Sequence, residues 1–174
     1  MPKQHSFAIA IDKLTRSIEN ATTGDSFSTD ILLLGPSDVR KIKKADWLFD
    51  WKKEAGQSEK QVYKLVIKGN ENIIQGMISL QDRGDHIFMS LIESAKFNRG
   101  LKKMYLGVPG NLVAFACKRS FELGYEGYVS FESKTRLVEH YKKTLGVHVL
   151  FGNIMAIDST AASRLAARYF SEKQ

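Results

Sequence analysis

The feature that most constrains this chain is a change of hydrophobic period near residue 95. Residues 61–68 set Val62, Lys64 and Val66 against Tyr63, Leu65 and Ile67, the two-residue alternation of a strand. Gly69-Asn70 supplies a turn before residues 73–80, and Asp82-Arg83-Gly84-Asp85 a second before residues 86–95. The stretch 61–95 therefore predicts three consecutive antiparallel strands. From Pro109 to Gly124 the spacing turns helical: Leu112, Val113, Phe115, Ala116, Phe121 and Leu123 are apolar, while Lys118, Arg119 and Glu122 form the wet edge. Residues 127–132 then alternate again. A strand, helix and strand in this succession close as a right-handed crossover, so 86–95 and 127–132 are expected to lie parallel and adjacent. The carboxyl ends of such strands are where ligands tend to bind.

The flanks extend the pattern. Residues 30–34 read as a short strand ended by Gly35-Pro36, and Ser37 stands where an N-cap would open a helix to about Ala55. That segment mixes Trp47, Leu48 and Trp51 with Arg40, Lys41, Lys43, Lys44, Lys52 and Lys53, as a basic amphipathic helix would. Residues 12–20 place Leu14 and Ile18 four apart behind Asp12, a short helix by spacing, and 21–28 read as a polar connector. Beyond 132, residues 134–145 are amphipathic through Leu137, Val138, Tyr141 and Leu145. Residues 147–151 and 154–157 are short strands, and 159–170 a final helix. The expected fold is α/β: a mixed, mostly antiparallel sheet with one parallel strand pair and helices on both faces. One domain spans 30–174, with 1–29 as an N-terminal extension.

Composition narrows the function classes. The chain has 174 residues and a net charge of +7, which favours anionic partners such as nucleic acid, an anionic surface or a phosphorylated cofactor. Cys117 is the only cysteine, which rules out an internal disulfide and a cysteine zinc cage and fits a reducing compartment, with the cytoplasm as the expected location. On a helix it reads as a small core residue rather than a nucleophile. His5, His86, His140 and His148 lack zinc-helix spacing, so no metal is expected, and no Gly-x-Ser-x-Gly elbow follows a strand. No run approaches the length of a membrane span. A nucleic-acid-binding module is the competing class, since lysines interleaved with Trp and Tyr can track phosphates and stack bases. Against it, the basic residues are spread over several elements without an RNA-binding signature.

Gly107-Val108-Pro109-Gly110-Asn111 lies between a strand and an apolar helix, where free backbone amides and the positive helix end face whatever occupies the loop. Lys96, Arg99, Lys102 and Lys103 precede it without an intervening acid and bias the surroundings toward phosphate. A tight strand-to-helix turn would use the same glycines for geometry alone. Nucleotide P-loop and dinucleotide fingerprints are both absent.

The segment Thr135-Arg136-Leu137-Val138-Glu139-His140-Tyr141-Lys142-Lys143-Thr144-Leu145-Gly146-Val147 resembles the helix ending in Tyr-x-x-x-x-Gly-Phe of the GNAT superfamily of acetyl-CoA-dependent N-acetyltransferases, with Val147 in place of the aromatic. The resemblance covers residues 30 to 157. It implies that Gly107, Val108, Gly110, Asn111 and Leu112 hold the pyrophosphate of acetyl-CoA, and that the backbone around Ser94, Ala95 and Lys96 meets the pantetheine arm. The family's loop reads Gln/Arg-x-x-Gly-x-Gly/Ala; here Tyr105 stands at the Gln/Arg position, Val108 at the first glycine, and Pro109 removes one amide donor.

The resemblance also implies direct acetyl transfer to a primary amine, carried by a small molecule or a peptide, or a related domain that binds acyl-CoA without turnover. By family habit alone it allows a homodimer. Transfer needs an acid for the departing thiolate and a base for the amine. Tyr141 matches the family's tyrosine and is the expected acid, its alternative being a packed aromatic between Leu137 and Leu145. Glu93 is the expected base, placed by alternation on one face with Ile87, Met89 and Leu91, where apolar neighbours would raise its pKa. Glu132, at the end of 127–132, is its rival for that role, and either residue could instead orient substrate.

Overall fold

The computed structural model describes residues 9–14 and 17–170. The chain runs β1 (Ile18–Asn20), β2 (Ser26–Phe27), β3 (Thr29–Leu33), α1 (Pro36–Lys41), α2 (Trp51–Ala55), β4 (Lys60–Ile67), β5 (Gly76–Asp82), β6 (Ile87–Ser94) and β7 (Tyr105–Leu106). It continues through α3 (Val108–Glu122), β8 (Val129–Glu132), α4 (Val138–Leu145), β9 (His148–Phe151), β10 (Ile154–Ile157) and α5 (Ser159–Phe170). Seven strands form one sheet in the order β3-β4-β5-β6-β8-β10-β9, and β2-β1-β7 form a small second sheet. Every neighbouring pair is antiparallel except β6 and β8, which are parallel as the crossover through α3 requires.

Helix α3 lies against the sheet on one side and α5 on the other, so it is buried nearly all round: Leu112, Val113, Ala114, Ala116 and Cys117 are each 0 % exposed. They pack with Leu65, Ile78, Met89, Phe131 and Met155 in the main core. A second cluster of Ile42, Trp51, Val62, Met77 and Leu91 fills the opposite face of the sheet beneath α1 and α2. Among the described residues no helix is long and apolar enough to cross a membrane.

Two expectations fail. The helix expected over 37–55 is broken into α1, a 3-10 turn at Lys44–Asp46, and α2. Ile42 and Trp47 are extended, and the amides of Leu48 and Phe49 go to the Glu93 carboxylate instead of to helical carbonyls. Asp50 restarts the helix by accepting the Lys53 N–H at 3.1 Å. The helix expected over 12–20 is also absent: residues 12–14 have no regular structure and Ile18–Asn20 is strand β1, paired with both β2 and β7. Ile18 is 0 % exposed, so long-range burial decides this segment's conformation over local helical spacing.

Candidate active site

Strands β6 and β8 share only two residue pairs, Ile87 with Val129 and Phe88 with Ser130. Beyond these they part, and the open edge of β6 from Ser90 to Ser94 lines a cavity of about 290 Å3. A β-bulge shapes that edge. Ser79 of β5 faces Leu91 and Leu80 faces Met89, which leaves Ser90 as the extra residue. The bulge shifts the phase of the strand: Ile87 and Met89 face the main core while Leu91 joins the second cluster beside Trp51. Alternation alone had put Glu93 with all three; the bulge separates it from Ile87 and Met89 and turns it toward Trp51.

Glu93 is 3 % exposed, and both carboxylate oxygens are engaged. Oε2 accepts from Leu48 N–H at 2.8 Å, while Oε1 accepts from Phe49 N–H at 3.1 Å and from the Trp51 indole Nε1–H at 2.9 Å. Arg99 stands 3.5 Å from Oε2. Three donors and a guanidinium thus converge on this carboxylate, which occupies both of its oxygens with the protein's own groups. What it does hold is the 48–51 turn, whose Leu48 and Phe49 form another wall of the cavity.

The three residues expected on the pantetheine arm divide. Ser94 lines the cavity, and its hydroxyl, in a residue only 2 % exposed, has no hydrogen-bond partner among the described residues. An orphaned buried hydroxyl at a cavity wall is a group waiting for a ligand. Ala95 and Lys96 instead line a separate cavity of about 280 Å3 with Asp38, Asp46, Trp47 and Phe97, and Lys96 is paired to Asp46 at 2.8 Å.

The loop residues divide likewise. Gly107 takes a left-handed conformation (φ 94°), which favours glycine, and precedes α3. Its N–H donates to Asp12 Oδ1 at 3.2 Å, and Asp12 Oδ2 meets Lys103 Nζ at 3.1 Å. Pro109 faces the cavity. Gly110 does not: a Cβ there would collide with the Tyr169 hydroxyl and lie 3.1 Å from Leu14. Asn111 donates to Thr29 Oγ1 at 3.1 Å, Val108 packs over Gly76, and Leu112 is core. Gly107 and Lys103 thus face the Asp12 carboxylate, Arg99 faces that of Glu93, and the rest of the loop, Pro109 aside, packs inward.

Tyr141 is 0 % exposed, packs edge-on against Phe131, and donates its phenol to the carbonyl of Ile9. Burial pushes its pKa well above that of an ordinary tyrosine, so the proton stays on at neutral pH. Glu132 ends β8 opposite Ile154, half-buried, without a hydrogen-bond or ion-pair partner among the described residues. Cys117, wholly buried, has its thiol pushed up to about 12 by desolvation, which keeps it inert.

Asp12, Leu48 and Phe49 carried no site signal in the sequence. Asp12 meets Lys103 and Gly107 across 91 and 95 residues, and no local pattern reveals a partner at that range.

No protein-family model matches the chain, and no curated protein does. Solved structures do. The KacTA–DNA complex matches with a TM-score of 0.55 at 13% identity, covering 79% of this chain and 98% of that one. AtaTR bound with AcCoA gives 0.53 at 12%, covering 79% and 98%. A mutant AtaT toxin bound to the C-terminus of the antitoxin AtaR gives 0.53 at 14%, covering 83% and 99%. With its seven-stranded, mostly antiparallel sheet, one parallel pair and flanking helices, the chain has the fold of the GNAT acetyltransferases.

Proposed function

We propose that the chain transfers an acetyl group from acetyl-CoA to a primary amine. The observation that carries this reading is the parting of β6 and β8 after two residue pairs, which leaves the backbone of Ser90–Ser94 and the orphaned Ser94 hydroxyl along a cavity flanked by cations. Open strand edges offer amide and carbonyl groups at regular intervals, the complement of an extended arm containing amides. Arg99, Lys103 and the Gly107 amide suit the phosphates of such a ligand. Bound there, it supplies a thioester carbonyl, an electrophile toward a neutral amine. In the related fold of AtaTR the bound molecule is AcCoA.

Within this reading Tyr141 is the acid, giving its phenol proton to the leaving thiolate once the Ile9 carbonyl no longer accepts it. Glu132, at the end of β8 and outside the lining of the cavity, is assigned the amine proton as the remaining carboxylate near the parted strands. Glu93 acts as a positioning residue that fixes Leu48 and Phe49 beside the reacting groups. The acceptor is an amine on a small molecule or a peptide.

Calorimetry with acetyl-CoA and desulfo-CoA, followed by an amine panel monitored for free thiol, tests the reading. Heat with both ligands and thiol release with one amine are expected; no heat with either removes it.

A further inference from the structure

Residues 9–12 run along the border of the proposed cofactor groove. Ile9 and Ala10 line the 290 Å3 cavity itself. The carbonyl of Ile9 receives the Tyr141 phenol, and Ile11 N–H donates to His140 Nε2 at 2.8 Å, with the Ile11 side chain 5 % exposed in the main core. Asp12 presents one oxygen to the Gly107 amide and the other to the Lys103 ammonium. An ammonium and an amide at a left-handed glycine form the donor pair that a phosphate oxygen would use, and here a carboxylate fills it. One four-residue stretch therefore engages the acid, the cavity wall and two of the anion-facing groups together.

We propose that residues 9–12 are an intramolecular competitor of acyl-CoA, with Asp12 standing where a phosphate sits, so that strap and ligand exclude each other. The inference rests on the acetyl-CoA reading and adds a regulatory state to that site. Ligand affinity is then lowered by the fraction of molecules whose groove is open, and ligand binding must expel the strap in return. Any modification or partner that draws residues 9–12 away would switch the site on without touching its reacting groups.

The test uses the full chain as wild type, Asp12→Ala and Asp12→Asn, the last keeping the side chain's shape while removing its charge. Acetyl-CoA affinity is measured by calorimetry, and amide hydrogen exchange is followed over residues 9–14 with and without ligand. The expected result is affinity about tenfold tighter in both variants, together with faster exchange at residues 9–14 of the wild type when acetyl-CoA is added. Binding that is equal or weaker in the variants, with residues 9–14 unchanged or slowed by ligand, makes the strap a fixed wall of the site; that overturns the inference and leaves the acetyl-CoA reading standing. If neither wild type nor variants bind acetyl-CoA, both fall.

Discussion

Two segments flank the parted end of β6, and they are held in opposite ways. The 48–51 turn is tied by one buried carboxylate, Glu93, with three hydrogen bonds and a guanidinium nearby. Residues 9–12 are tied by single hydrogen bonds and ion pairs to Tyr141, His140, Gly107 and Lys103, with the Ile11 side chain in the main core, and the Asp12–Lys103 pair is partly open to solvent. Breaking the first arrangement strands several buried donors at once, whereas the second can come apart one bond at a time. A wall and a strap can thus border the same groove, and the difference lies in how many donors share one acceptor.

The sharpest way to break that contrast is Glu93→Ala. Removing a buried anion and leaving the two amides, the indole and Arg99 without their acceptor should cost about 3–5 kcal/mol, read as a lower urea midpoint. A loss under about 1 kcal/mol would mean that the turn is not anchored there. Next in size, Tyr141→Phe should lower turnover about 10²-fold while costing only about 1 kcal/mol of stability through the lost bond to Ile9. Unchanged turnover would reduce Tyr141 to packing. Asp12→Ala should destabilise by about 1 kcal/mol or less, since its pair is partly solvated, and so separate strap from wall in a single denaturation series. The smallest effect is a pH dependence. The folded pKa of Tyr141 is raised by burial, so the stability this provides is fully present below the unfolded value of about 10 and declines as pH climbs above it. In ultraviolet titration the wild type and Tyr141→Phe should show the same phenolate absorbance near pH 10 and differ only once the folded wild type releases that proton or unfolds.

Much of the frame was legible because it is local. Strands β4, β5 and β6 are joined by connections rich in glycine, asparagine and aspartate, and α3 opens just after β7, so period and punctuation decide them. The parallel pairing of β6 with β8 follows from handedness alone. The segments that resisted are those settled by distant partners. Glu93 takes the amides of Leu48 and Phe49 from 45 and 44 residues away and breaks the helix that their own sequence favours. Ile18 becomes a strand residue through Phe27 on one side of β1 and the pairing with β7 on the other. A single inserted residue, Ser90, defeats alternation because a bulge leaves no mark in an apolar pattern. Of the site, Gly107 was legible from its loop ahead of an apolar helix, the tyrosine's role came from the resemblance, and the orphaned Ser94 hydroxyl emerges only once its neighbours are placed.

With only two rungs joining β6 to β8, the seven-stranded sheet is mechanically two leaves on a short hinge: a meander of β3 to β6, and a hairpin set of β8, β10 and β9. Each leaf draws its pairings from nearby sequence, whereas the contacts that join them along α3 link residues far apart in the chain. Because α3 and one main core pack against strands of both leaves, the gap is open in the backbone ladder while side-chain packing holds its width.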